Sequence, residues 1–178
     1  QRHGVGRRAI EREALAAARS TGCVPHLPFV LPATLSRLAA AALGHGIARE
    51  FVCRTIASRG LAPPDAEEER WPWRVRVRAL GTFELAVDGI ALDAAANPQR
   101  KPVELLKYVL AAGGRDVGFG ALAQALWPDA EGDAAKRSFD VTLHRLRRLL
   151  GRDDAITLQG GKLALNPGTV WVDALAFE

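Results

Sequence analysis

DAAKRSFDVTLHRLRRLLG, residues 133–151, is the stretch whose reading decides the fold. Asp133 is the residue type that caps a helix N-terminus and Gly151 the type that ends one, which predicts a helix over 134–150. At a hundred degrees per residue, Ala135, Phe139, Leu143, Leu146 and Leu150 fall on one face, an apolar stripe made for burial. Arg137, Val141, His144 and Arg148 fall on the opposite face, with Arg145 to one side and Lys136, Asp140 and Arg147 on the flank. Lys136, Arg137, Arg145, Arg147 and Arg148 meet a single acid, Asp140, within 134–150. The excess of four equals the net charge of +4 for the whole chain, so charges elsewhere nearly cancel.

Working outward from this helix, Ala155 to Gln159 and Leu163 to Leu165 flank Gly160-Gly161, a hairpin signal, and Val170-Trp171-Val172 can add an edge strand. On the other side, Trp127-Pro128-Asp129 ends a short helix predicted over Ala121 to Trp127. Before it, Pro102 to Ala112 carries a stripe of Val103, Leu106, Val109 and Leu110, with Pro at an opening position and Gly113-Gly114 as the stop. Further upstream the period becomes two. Arg74 to Leu80 alternates charge and apolar, with three arginines toward solvent. Phe83 to Val87 alternates again, and Asp88-Gly89 turns the chain into Ile90-Ala91-Leu92. Sheet, helix, helix, helix and hairpin in that order is an α+β winged helix-turn-helix, with helix 134–150 entering a major groove and hairpin 155–165 as the wing.

The first part of the chain reads differently. Arg7 to Arg19, Ala33 to Leu43 and Ile47 to Arg59 have helical composition, separated by a loop with Pro25, Pro28 and Pro32 and by Gly44-His45-Gly46. Residues 62–73 are Pro-rich and acidic without an apolar period, hence a linker. The predicted organisation is a helical segment over 1–61, a linker over 62–73 and the winged-helix domain over 74–178. Cys23 and Cys53 lack metal-ligand spacing and read as reduced, buried thiols. The absence of methionine and the opening Gln1 predict a C-terminal fragment of a longer protein. A hydrophobic share of 48% against 25% charged argues against disorder, and no apolar run approaches the roughly 20 residues a bilayer needs, so a cytoplasmic address and no membrane partner are expected.

A pI near 9.6 admits polyanionic partners, and the local basic face says which. Lys and Arg release the counterions condensed on duplex DNA, Arg forks onto guanine O6 and N7, and Val141 can pack on a thymine methyl. The competing readings are a solvated helix face, or a basic surface that docks on an acidic protein or a membrane. An enzyme is disfavoured. Gly118-Phe119-Gly120-Ala121-Leu122-Ala123 has the Gly-x-Gly-x-x-Ala spacing, but a dinucleotide site needs a buried parallel strand before it. His3, His26 and His45 lie in the first part of the chain, away from any nucleophile arrangement. RNA binding is disfavoured because Trp127 and Phe139 read as core and stacking motifs are missing. No cofactor or metal is expected.

Residues 137–148, RSFDVTLHRLRR, resemble the recognition helix of OmpR/PhoB-type winged-helix domains. Leu80-Gly81-Thr82-Phe83, Arg100-Lys101, Leu105-Leu106 with Tyr108, Leu126-Trp127-Pro128-Asp129 and Trp171-Val172-Asp173 resemble the activator branch found in Streptomyces antibiotic regulatory proteins. His45-Gly46-Ile47 and Ile56-Ala57-Ser58-Arg59-Gly60-Leu61 look like the stretch that joins a helical sensor region to such a domain in large MalT-like regulators. The resemblance implies double-stranded DNA as partner. It implies Arg145 as base reader, with Arg137, Thr142, His144 and Arg147 on phosphates or bases; the helical wheel adds Lys136, Val141 and Arg148. Where the phosphorylated-regulator branch has an Arg before the hairpin glycine, this chain has Gln159-Gly160-Gly161-Lys162, so Gln159 and Lys162 are the wing contacts, Lys162 to phosphate. It further implies that Asp129, Glu131 and Asp133 face RNA polymerase, and admits a dimer on tandem DNA sites.

Overall fold

The computed structural model describes residues 13, 16, 20, 31–92, 100–130 and 132–176. Glu13, Ala16 and Ser20 are helical; the rest of the helix predicted from Arg7 to Arg19, together with Pro25, Pro28, Cys23, His3, His26 and Glu131, lies outside the described residues. The chain divides into two compact units, Gln1–Pro72 and Trp73–Glu178.

In the first unit, α1 (Pro32–Gly44) opens with proline at its first position, where the missing N–H costs nothing, and α2 (Arg49–Arg59) follows a short turn. The second helix starts two residues later than Ile47 because Ala48 takes a left-handed conformation at φ 44°. Ala39, Ala42 and Leu43 of α1 and Val52 and Ile56 of α2 are buried. Cys53 is free but only half-buried, which corrects the expectation of a buried thiol. In the Pro-rich acidic stretch, Arg70 donates from its guanidinium to the Gly44 carbonyl.

The second unit begins with β1 (Val75–Arg78), β2 (Glu84–Val87) and β3 (Ile90–Leu92). Val75 pairs with Val87 and Arg78 with Glu84, antiparallel, so Val75, Val77 and Leu85 all point into the core. Asp88 and Gly89 both have positive φ (48° and 80°), the geometry of the two-residue turn whose twist matches a hairpin. The helix α3 (Arg100–Ala111) starts two residues before Pro102 and buries Val103, Leu105, Leu106 and Val109. It stops at Gly113 and Gly114: the Gly113 N–H donates to Leu110 O and the Gly114 N–H to Val109 O, both at 2.9 Å. A side chain at Gly114 would be strained by its φ of 74°, and its Cβ, 2.9 Å from Leu175 Cδ1, would make that leucine tip shift.

The next elements are β4 (Val117–Gly118), α4 (Phe119–Leu126) and α5 (Gly132–Leu149). The helix α5 takes in Asp133, so Asp133 is a first-turn residue and not the N-cap expected from the sequence. After a single 3-10 turn at Asp153–Ala155 come β5 (Ile156–Gln159), β6 (Lys162–Leu165), β7 (Val170–Val172) and α6 (Asp173–Ala176). The fold is α+β, with two small sheets ordered β3-β2-β1-β7 and β4-β6-β5. Two pairings were not legible locally. The strand β7 leaves the hairpin and joins the first sheet parallel to β1, and the two-residue β4 becomes a third strand beside β6. One core, including Val77, Leu106, Phe139, Leu146, Ile156 and Leu163, lies between the sheets and the three helices.

Asp173 explains how the returning strand is held. Its buried carboxylate accepts from the Ala79 N–H (2.7 Å), the Leu80 N–H (3.2 Å) and its neighbour's Ala174 N–H (2.7 Å), tying the end of β1 to the start of α6. Asp173→Asn leaves a donor facing one of those amides. Its expected cost is about 1–3 kcal/mol, read from the shift of the urea midpoint. A loss below about 0.5 kcal/mol, the range of an ordinary surface change, counts against this role.

Candidate nucleic-acid interface

The helix α5 is two-faced because its sequence is. Ala135, Phe139, Leu143 and Leu146 are buried, as is Leu150 just beyond its end. The Phe139 ring meets Phe119 edge-on at 5.2 Å and Trp127 at 6.5 Å, so residues at both ends of α4 are anchored to the middle of α5. Phe139 is thus used inside the unit, with Phe119 and Trp127 half-buried against it.

On the outward face Arg137, Val141, His144, Arg145 and Arg148 are all exposed. Val141 is 49% exposed in the midst of these cations. The side chains of Arg137, Arg145 and Arg148 have no ion-pair or hydrogen-bond partner among the described residues. The basic residues of the first sheet behave differently. Arg74 pairs with Asp88 (3.1 Å), Arg78 with Glu84 (3.6 Å), and Arg76 stacks over Trp171 at 4.9 Å. Just past α5, Arg152 is likewise committed to Asp154 at 2.6 and 2.8 Å, and this hydrogen-bonded guanidinium holds the Asp154 carboxyl below its usual range. Three unpartnered guanidinium groups thus share one face of α5, whereas Arg74, Arg78 and Arg152 are paired with carboxylates.

Three residues expected in the contact set have other partners. Lys136 pairs with Asp140 at 2.6 Å and lies over the Phe139 ring at 5.3 Å, so it sits at the edge of the face with much of its charge answered. Thr142 is 6% exposed and its hydroxyl donates to Ser138 O at 2.7 Å; this corrects its assignment as a DNA contact. The wheel held that signal, since Thr142 lies only about 60° from Phe139, at the border of the apolar stripe. Arg147 is half-buried and donates from Nε and Nη2 to Ile156 O at 3.2 and 3.0 Å, which turns it toward the hairpin and away from the free face. Inclusion of Asp133 also lowers the excess charge of the helix, to five cations against two acids.

In the hairpin, Gln159 pairs with Lys162 across Gly160 and Gly161, both at positive φ (56° and 76°), and Gln159 and Lys162 are exposed. Lys162 stands 3.9 Å from Asp116, a loose and solvent-screened pair. The turn is not a freely projecting finger, because the Phe119 N–H at the start of α4 donates to Gly161 O at 3.1 Å. Asp129 and Asp133 are exposed on either side of the α4–α5 connection.

The glycine-rich fragment begins within β4, a strand two residues long and antiparallel to β6, unlike the buried parallel strand a dinucleotide site requires. Among the described residues no three His, Cys, Asp or Glu side chains stand together to hold a metal ion, and no helix is long and apolar enough to cross a membrane. No protein-family model and no curated protein sequence matches the chain.

Proposed function

We propose that residues 74–178 are a winged-helix domain of the OmpR/PhoB type, in the activator branch, that binds duplex DNA with sequence preference and regulates transcription. The observation that carries the reading is the concentration of exposed, unpartnered Arg137, Arg145 and Arg148 around Val141 on one face of a helix whose other face is locked in the core. Arginine forks match the acceptor pair on guanine, phosphates take the remaining cations, and a methyl-bearing side chain between them suits a thymine methyl. In this reading α5 lies in the major groove and the hairpin β5–β6 is the wing, with Lys162 on a phosphate. No catalysis is involved, and the protein acts in the cytoplasm. RNA polymerase is the proposed second partner, at Asp129 and Asp133, and two copies occupy tandem sites.

Duplex binding by fluorescence anisotropy across a salt series tests it, on a sequence enriched from a random pool and on random duplex. The expected result is a steep linear fall of log affinity with log salt, together with a preference of about 10³-fold or more for the enriched sequence. Salt-sensitive binding without preference reduces the face to a generic basic surface, and no binding turns the reading toward a protein-contacting module. Lys162→Ala is expected to weaken both duplexes alike and to lower the salt slope by about one.

A further inference from the structure

The contact between Arg147 and Ile156 links the two elements that the DNA-binding reading sets on a duplex. Ile156 opens β5, the edge strand of the sheet β4-β6-β5. Its neighbour's carbonyl, Ala155 O, accepts from the Asn166 N–H at 3.0 Å, so by the alternation of an antiparallel ladder Ile156 O points off the free edge, where no strand of the sheet lies. Ile156 itself is fully buried, and an orphaned carbonyl there is costly. Arg147 supplies the missing donors, Nε and Nη2 together, from the last turn of α5. The segment it spans turns sharply: Gly151 is at φ 66° and the Arg152 N–H donates back to Arg147 O at 3.2 Å. The residue therefore grips β5 with its side chain and the connection with its carbonyl.

We propose that Arg147 is a positioning residue that fixes the angle between the helix α5 and the hairpin β5–β6, and that it acts on DNA through this angle and not as a phosphate ligand. The proposal rests on the DNA-binding reading above. Two elements that engage one duplex together need a fixed mutual geometry to recognise a particular sequence, whereas charge alone suffices for random duplex. A fork of two parallel donors on one carbonyl is something arginine makes and lysine does not, while lysine replaces arginine adequately as a point charge on phosphate.

That difference decides the test, made on the full chain with Arg147→Lys and Arg147→Ala. In the free protein, amide hydrogen exchange over residues 156–165 is expected to speed up about tenfold in both variants, with the amides of α3 unchanged. On DNA, the preference for the enriched over the random duplex is expected to fall about fivefold in both, with the salt slope as in the wild type. The lysine variant keeps the charge and most of the stem, so it guards against a result that reflects unfolding. Wild-type behaviour of Arg147→Lys with a slope lowered by about one in Arg147→Ala overturns the proposal in favour of a phosphate contact. Unchanged exchange in the hairpin overturns it as well. Absence of duplex binding by the wild type removes the DNA reading, and the exchange result then still decides by itself whether Arg147 holds the hairpin.

Discussion

Phe139→Ala is expected to destabilise the second unit by about 3–5 kcal/mol, a large part of the 5–15 kcal/mol that ordinarily holds a domain together. The ring is 1% exposed and touches Phe119 at the start of α4 and Trp127 just after its end, both edge-on. Its removal leaves a cavity where the second and third helices of this unit meet, and it takes away two aromatic pairs worth about 0.5–1.5 kcal/mol each beyond their buried area. Urea unfolding followed by tryptophan fluorescence measures the loss. Phe139→Leu, which refills most of the volume, is expected to cost less than half as much. A change below about 1 kcal/mol for the alanine variant means that the two helices are held together elsewhere. The same experiment bears on function only indirectly, since the ring lies on the face of α5 opposite to Arg137 and Arg145.

The double variant Arg137→Ala with Arg145→Ala is expected to keep the fold and lose about 100-fold in affinity for the enriched duplex. Neither side chain has a partner among the described residues, so nothing buried is left unsatisfied, and surface changes of this kind alter stability by no more than about 0.5 kcal/mol. The affinity loss combines two contributions. Two fewer cations release fewer counterions, which lowers the salt slope by about two if both touch phosphate. Arg145, the expected base reader, adds about 1–3 kcal/mol of discrimination that appears on the enriched sequence alone. Arg145→Ala by itself separates the contributions. Equal losses on enriched and random duplex would sink its assignment as a base reader, even with DNA binding intact.

The candidate face was legible in advance because it depends on the helical period alone. Phe139 to Leu146 on one side and Arg137 to Arg148 on the other follow from spacing within eighteen residues, and the structure buries and exposes them accordingly. The residues that moved out of the contact set are those at the borders of the wheel. Thr142 adjoins the stripe, and its hydroxyl found the local backbone carbonyl that a helical threonine commonly takes. Arg147 lies on the flank, where spacing is neutral and the direction of a long side chain depends on what stands beside it.

The sequence by itself determined the longer elements and their turns, though not β4 or α6. Alternation in β1 and β2, the apolar stripes of α3 and α5, and the Asp88-Gly89 and Gly160-Gly161 turns are all encoded within a few neighbouring residues, where sterics and burial act without knowledge of the rest of the chain. Only the tertiary structure decided what depends on distant partners. The return of β7 to lie parallel with β1 joins Val75 to Val170, the pairing of β4 rests on two residues too few to show a period, and Asp173 caps amides of Ala79 and Leu80 far upstream. Arg147 belongs to the same class. Its role appears once a sheet edge with an unanswered carbonyl closes beside it, because a hydrogen bond needs both groups in place and a sequence shows one at a time.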